Sequence, residues 1–338
     1  MLVILLLGLI LGVVINYFSV GFCGAVYCTT KKMNSYGFRM LLISILIGGT
    51  GIFFLKTLSG AETNYVGVMG IDFALVIGAF IFGMGMMLSD GCILGVVRDL
   101  GNGYLGHIIT FVFVIIGTLI GNVTYKSMWV PLKKHSLYVY FPETFGTIAG
   151  FVLFILLVAF IYFEFCVWDK KNLSENWRLP KKSIVGGIVL GIYMIGYQLL
   201  TGLNIGISGA FPYFGAWVAN LFGAHSEKWS FFQLESSQKI ISGGIFRYET
   251  SVLIIGIIIG SLIIAILTKK FKIHKPESLK EVGGYAAGGL LMGYGACIAA
   301  GCNLSGFLSS ATNLSLSAWV YLPFMMLGSM LVIKVLKL

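Results

Sequence analysis

Two stretches, Ser89-Asp90-Gly91-Cys92-Ile93-Leu94-Gly95 and Ala300-Gly301-Cys302-Asn303-Leu304-Ser305-Gly306, decide how the rest of the chain is read. In each, an apolar run ends in Gly-Cys, a short stretch of small or polar residues follows, and a further apolar run begins. Glycine interrupts a helix at low steric cost and lets backbone approach a ligand. Shifting the sequence by the 210 positions between Cys92 and Cys302 also superposes Gly78, Gly83, Gly85 and Gly91 on Gly288, Gly293, Gly295 and Gly301. Glycine abundance alone, 45 in 338 residues, would rarely give that many ungapped matches.

The runs flanking these breaks are long enough to cross a bilayer, which takes roughly 20 apolar residues. Spans are expected at 2–22, 38–58, 71–90, 105–125, 146–168, 183–202, 250–268, 282–300 and 315–337. Segment 205–223 carries Asn204 just before it, then Ser208 and Pro212 among glycines, and reads as a re-entrant or broken helix. Residues 1–22 lack a basic n-region and a small-residue cleavage site, so a retained helix is expected. Composition agrees: 58% of residues are hydrophobic and 11% charged, with a mean hydropathy of +0.94. A soluble domain is about 45–50% apolar and about 25% charged. The net charge of +10 does not point to nucleic acid, because the basic residues cluster between apolar runs, as they do beside membrane helices. The expected surroundings are the lipid bilayer.

The basic loops orient the chain. Loop 169–182 (Lys170, Lys171, Arg178, Lys181, Lys182), loop 269–280 (Lys269, Lys270, Lys272, Lys275, Lys280) and 28–39 (Lys31, Lys32, Arg39) are expected in the cytoplasm. Loop 59–70, with Glu62 and no basic residue, is expected outside. The span count also puts 126–145 outside, although it holds Lys126, Lys133 and Lys134. The helix before Cys92 then enters from outside and the helix before Cys302 from the cytoplasm, an inverted-topology repeat with its site near the midplane on interrupted helices. The expected division is a first membrane half at 1–168, a cytoplasmic linker at 169–182 and a second half at 183–338. The fold class is an all-α membrane protein of about nine transmembrane helices plus re-entrant or broken ones.

Unpaired backbone in lipid costs several kcal/mol, so helix breaks survive only where protein or a water-filled path surrounds them. Amides opening the next helix face an anion favourably. Cys92 and Cys302 share a repeat position at such breaks, and Cys23 sits comparably in Gly21-Phe22-Cys23-Gly24. An anion passing these thiols, with Gly91, Gly301 and Asn303 beside them, fits the pattern. Cys166, mid-helix among aromatics, reads as packing, as a buried thiol usually is. Cys28, Cys297, Asp90 and Arg98 are secondary candidates, Arg98 equally as the ion-pair partner of Asp99 at a helix end. A disulfide framework is not expected, because such frameworks belong to small secreted domains. Gly101-x-Gly103-x-x-Gly106 has no preceding strand, and no Walker A sequence occurs. The histidines at 107, 135, 225 and 274 lack ligand spacing and fit surface or loop positions. Met84, Met86 and Met87 fit helix packing better than a copper site. No catalytic residue, metal or cofactor is expected.

At these residues the chain resembles the YeeE/YedE family of sulfur-transport membrane proteins over almost its whole length. The specific parts are Phe22-Cys23, Gly91-Cys92 followed by Gly95, and Gly301-Cys302-Asn303 followed by Gly306. Arg98, Gly101-Asn102-Gly103 and Ser317-Ala318-Trp319 resemble stretches after the family's second and third cysteines. The resemblance implies an hourglass of helices in the cell inner (plasma) membrane. It implies Cys23, Cys92 and Cys302 as transport cysteines passing thiosulfate by S–H···S contacts, and a small TusA-like sulfurtransferase as cytoplasmic partner. The chain departs from the family pattern at Val20-Gly21, where an arginine commonly precedes Phe-Cys, at Asp90, and in its extra thiols Cys28 and Cys297. A selenium compound or another reduced sulfur species therefore stays open as cargo. A membrane thiol oxidoreductase is the alternative of another class. It would need two thiols with Cα atoms within about 7 Å and an electron acceptor. A structural or assembly protein would not need paired Gly-Cys breaks.

Overall fold

The computed structural model describes every residue except 59–66, 134–135, 174–176, 234 and 338. The expectations for Glu62, Lys134 and His135 lie outside the described residues. The described chain is nearly all helical. Helix α1 (Leu2–Tyr17) breaks before α2 (Phe22–Lys31), and α3 (Tyr36–Leu58) follows. Helix α4 (Phe73–Leu88) breaks before α5 (Ile93–Asn102), and α6 (Gly106–Thr124) follows. After the short α7 (Phe141–Thr144) come α8 (Thr147–Leu173) and α9 (Lys181–Thr201). A 3-10 turn, Ser208–Ala210, opens α10 (Phe211–Leu221), and α11 (Glu235–Gly243) and α12 (Glu249–Leu267) come next. Helix α13 (Leu279–Ile298) bends into the π-wound segment Asn303–Ser309 and the single turn α14 (Ser310–Thr312), and α15 (Ser317–Leu336) follows.

Among the described residues, eight helices, counting α1 with α2 and α4 with α5, are long and apolar enough to cross a membrane. A ninth joins them if α13 and Asn303–Thr312, bent by 47°, count as one span. The chain is thus a multi-pass membrane protein. One boundary differs from expectation: the first helix stops at Tyr17 rather than running to 22. Ser19 takes a left-handed φ of 56° and Gly21 is extended, so the break falls before Phe22, and Cys23 opens a helix instead of following one.

Between lipid-embedded helices the hydrophobic effect gives little attraction, so close packing over small residues must supply it. Here glycines let backbones touch. Helices α4 and α13 cross antiparallel. A Cβ added to Gly85 would lie 2.6 Å from the Gly288 carbonyl oxygen, and one on Gly288 would lie 2.7 Å from that of Gly85. Gly78 and Gly295 face each other in the same way. Gly83 sits on the Met325 carbonyl of α15, and Gly293 on the Val114 carbonyl of α6. Gly8 and Gly12 of α1 lie on the Leu253 and Ile257 carbonyls of α12, while Gly187 and Gly191 of α9 lie on those of Met40 and Ser44 in α3. Most of these contacts have a reciprocal counterpart: Gly328 sits on the Phe80 carbonyl, Gly117 on that of Leu290, and Gly256 and Gly260 on those of Leu5 and Leu9. The helices of 1–168 therefore pack against those of 183–338 along their length, rather than forming two separate bodies.

Isolated bridges among the described residues tie loops at both ends. Ile71 pairs with Leu137 and Tyr140 with Ser315 at one end, and Tyr104 pairs with His274 at the other. Residues 136–140 therefore lie opposite the basic loop 269–280. Arg39, read from sequence as a loop charge, is instead buried in α3, 3.0 Å from the fully buried Asp169 of α8. Asp169 also accepts from the Ser35 amide at 2.7 Å and its hydroxyl at 2.8 Å, and Arg39 donates to the Trp177 carbonyl at 2.7 Å. Buried charges persist when they are paired and most of their hydrogen-bonding groups are answered, as here, where of the guanidinium only Nε lacks a partner.

The glycine contacts make a test. Gly288→Leu would press a side chain on the α4 backbone, where neither Gly85 carbonyl nor Ser89 can yield. We expect a loss of about 1–3 kcal/mol, read as a lower melting temperature of the detergent-solubilised protein. An unchanged melt would mean the crossing is looser than described.

Candidate functional site

The two Gly-Cys breaks share one backbone course. Asp90 and Ala300, neither a glycine, take left-handed φ values of 52° and 57°. Such residues cost about 1–2 kcal/mol each and persist only where the surroundings fix them. Next, the Gly91 amide donates to the Met86 carbonyl at 3.1 Å and the Gly301 amide to that of Ala296 at 2.9 Å, closing each helix end. The chain then restarts with cysteine at the N-cap. The Gly95 amide donates to the Cys92 sulfur at 3.4 Å. At the other break Ser305 closes a capping box. Its hydroxyl accepts from the Cys302 amide at 3.0 Å and lies 3.6 Å from the Cys302 sulfur. The third thiol, Cys23, stands in the first turn of α2 and donates to the Met86 carbonyl at 3.6 Å and the Met87 thioether at 3.7 Å.

The three thiols are buried, and their segments converge. The Phe22 ring meets the Phe307 ring edge-on at 6.0 Å, joining α2 to the segment that Cys302 opens. The Phe22 backbone also lies beside the Cys92 sulfur. Met86 bridges the rest: its carbonyl takes the Cys23 thiol and its sulfur takes the Asn303 side-chain amide at 3.1 Å. Tyr321 donates to the Asn303 side-chain oxygen at 3.2 Å, so Asn303 is held from both sides and acts as a brace. Gly91 lies against His107, and Gly301 against the Gly306 backbone.

Arg98 is the ion-pair partner of Asp99. It grips Asp99 with two bonds, 2.8 and 2.7 Å, and donates to the Val20 carbonyl at 3.0 Å. It thereby ties the backbone just before the Cys23 turn to the helix that Cys92 opens. Asn102 supports Asp99 at 2.8 Å, and Asn16 supports Asn102 at 2.7 Å. Asp90 is exposed at its break. Cys28 is half-buried toward the far end of α2. Cys297 donates to the Asn122 side-chain oxygen at 3.0 Å. Cys166 lies apart, in an apolar groove between α3 and α8 with Leu42, Leu46 and Tyr162. All six cysteines are unbridged. Among the described residues, no three His, Cys, Asp or Glu side chains group closely enough to hold a metal.

Two adjoining cavities open at the end opposite loop 269–280. The larger, about 840 Å³, is lined by Asp72, Tyr125, Lys133, Ser136 and Ala300 among others. The smaller, about 220 Å³, shares Tyr125, Lys133 and Ala300 with it and adds Ser208 and Cys297. Ala300 places both beside the Cys302 break.

Sequence reasoning missed several residues. His107 is no loop residue: it is buried in α6, 3.1 Å from the Ser89 carbonyl and flanked by Tyr104 and Tyr285. Met86 and Met87 pack within α4 as expected, yet their sulfurs touch the site, and nothing in the sequence separates those two roles. Ser305 carries a signal, since a hydroxyl three residues after an N-cap is capping-box spacing.

Residues 19–331 match the family model described as "Sulphur transport". The chain is similar to a protein of Spirochaeta thermophila named thiosulfate transporter TsuA, 26% identical over 96% of each chain. It is also similar to the thiosulfate transporter TsuA of Escherichia coli K12, 26% identical over 87% of this chain and 83% of that one. A Salmonella typhimurium protein named probable transporter YedE is 28% identical over 47% of this chain and 39% of its own.

The Arg98 clamp is testable by itself. Arg98→Met strands the Asp99 carboxylate and should cost about 2 kcal/mol or more. Arg98→Lys, which keeps the charge but not the fork, should cost less. Melting of the purified variants ranks them, and equal melting for both and the wild type would leave the clamp without a role.

Proposed function

The chain belongs to the sulphur transport family, and from that premise we propose that it imports thiosulfate or a related small sulfur anion through a central path lined by Cys23, Cys92 and Cys302. One observation carries this reading: three buried thiols each stand in the opening turn of a separate short helical segment, and those turns meet at Phe22, Phe307 and Met86. Opening turns present unpaired amides and the positive end of the helix dipole. A thiolate would repel an anion, because like charges at close range in low dielectric cost several kcal/mol. The thiols therefore serve as neutral, weak S–H donors. Weak holding at successive sites suits conduction, where each site must release what it takes. The protein acts as a transporter and not as an enzyme.

The reading includes an inverted frame: half 1–168 and half 183–338, joined by a cytoplasmic linker at 169–182 and narrowing to an hourglass waist at the cysteines. The reciprocal glycine contacts support it. With the basic loops in the cytoplasm, the two cavities face outward and Lys133 offers a positive charge at the entrance. The membrane is the inner (plasma) membrane. The recipient inside is a TusA-like sulfurtransferase docking against the basic face.

Uptake of radiolabelled thiosulfate into vesicles holding only this protein tests the proposal, with selenite and sulfate as competitors. Cys92→Ser and Cys302→Ser should insert normally and lose uptake by about tenfold, the factor that about 1.4 kcal/mol of lost contact gives. Cys166→Ser should keep it. Full uptake by both of the first two variants would reduce the cysteines to packing.

A further inference from the structure

The break that opens α10 has an ancestor pattern earlier in the chain. Shifted by the 185 positions between Cys23 and Ser208, Ile205-Gly206-Ile207-Ser208-Gly209-Ala210 lies on Val20-Gly21-Phe22-Cys23-Gly24-Ala25. Three residues are identical, two are apolar in both, and serine stands where the first break has its thiol. The preceding helices are alike in kind, though not in that register: Gly187 and Gly191 of α9 meet α3 carbonyls as Gly8 and Gly12 of α1 meet those of α12, at an interval of 179, so six more residues separate these glycines from the second break. Ser208 is thus the fourth member of a set whose other three members are Cys23, Cys92 and Cys302.

Its surroundings give that position a use. The Ser208 hydroxyl lies 3.3 Å from the Ser305 hydroxyl, which is itself 3.6 Å from the Cys302 sulfur. Ser208 also lines the 220 Å³ cavity beside Lys133, whose ammonium stands 5.0 Å over the Tyr125 ring. A file of polar groups therefore leads from a cavity with a cation, through two hydroxyls, to the Cys302 thiol.

We propose that Ser208, with Ser305 behind it, is the outer binding position of the path, where an anion is held by its oxygens before its sulfur reaches Cys302. This rests on the cysteine path proposed above. A hydroxyl is a short, hard donor matched to anionic oxygen, and O–H···O⁻ bonds are among the stronger ones. A thiol is a weak donor on a polarizable atom, matched to sulfur. A hydroxyl at the mouth and thiols within read the two ends of one cargo class: a small anion bearing both an oxyanion group and a terminal sulfur or selenium atom. Sulfate, with oxygens alone, satisfies the mouth but not the thiols. It should therefore inhibit competitively without being carried.

Thiosulfate uptake and its inhibition by sulfate, measured in vesicles with Ser208→Ala, Ser208→Cys and Cys302→Ser, test this. Ser208→Ala should raise the KM for thiosulfate and the Ki for sulfate together by about tenfold, at an unchanged amount of inserted protein. Ser208→Cys keeps the size and a donor but exchanges oxygen for sulfur; it should raise the Ki for sulfate more than the KM for thiosulfate. A packing role alone would alter insertion or melting and leave KM and Ki in place. If Ser208→Ala does not insert, Ser208→Cys decides: sulfate inhibition as strong as in the wild type overturns the inference. Wild-type KM and Ki in Ser208→Ala also overturn it. If uptake is lost in Cys302→Ser but both Ser208 variants behave as wild type, only this inference fails; if Cys302→Ser transports normally, the path itself fails.

Discussion

A helix that stops inside a membrane leaves backbone amides and carbonyls that hydrocarbon cannot satisfy, and the protein depends on how each is answered. The answers are local. Gly91 and Gly301 return their amides to the helix just ended, the Cys92 sulfur takes the Gly95 amide, and the Ser305 hydroxyl takes the amide of Cys302. The Val20 carbonyl, beside the earliest break, is taken by Arg98. Because these groups are answered by the residues at the site, breaking the helices and building the site are one event. On the path proposed above, the side chains that cap the restarted helices are the same ones offered to a passing ion.

Such breaks survive only inside a collar of tightly packed protein, and the glycines supply it. Where Gly85 faces Gly288 and Gly78 faces Gly295, two backbones approach without intervening side chains. Dispersion between backbones then replaces the hydrophobic drive that lipid does not give. The buried Arg39–Asp169 pair fastens the start of α3 to the end of α8 away from this collar. The turns that meet at the thiols are therefore held from their sides by packing contacts.

Much of this was legible in the sequence because hydropathy and glycine spacing are coarse, repeated signals. The eight or nine spans among the described residues, the paired breaks at Cys92 and Cys302, and the break ahead of α10 in 205–223 are features of this kind. What stayed hidden depends on side-chain chemistry that looks alike in different settings. Arg39 reads as a loop cation until Asp169, 130 positions away, is brought beside it. Met86 and Met87 sit at ordinary packing positions, and only the fold turns their sulfurs toward Cys23 and Asn303. His107 lacks any ligand-like spacing because its partner is the Ser89 carbonyl. The kinship of Ser208 with Cys23 was masked by the exchange of the one residue that drew attention to the first break.

The π winding at Asn303–Ser309 leaves a trace in the numbering of everything that follows it. Gly83 and Gly293, ahead of the winding, are 210 apart, but the carbonyls they rest on, Val114 and Met325, are separated by 211. Gly117 and Gly328 keep the larger interval. One residue has been added between Cys302 and α15, with no counterpart between Cys92 and α6. In an α-helix a single insertion turns everything beyond it by about 100°, which would swing Met325 and Gly328 off their partners. A π turn absorbs the extra residue by widening locally. The register of α15 is thus preserved at the cost of one loose coil, and that coil carries Ser305, the hydroxyl between the cavity and the thiol.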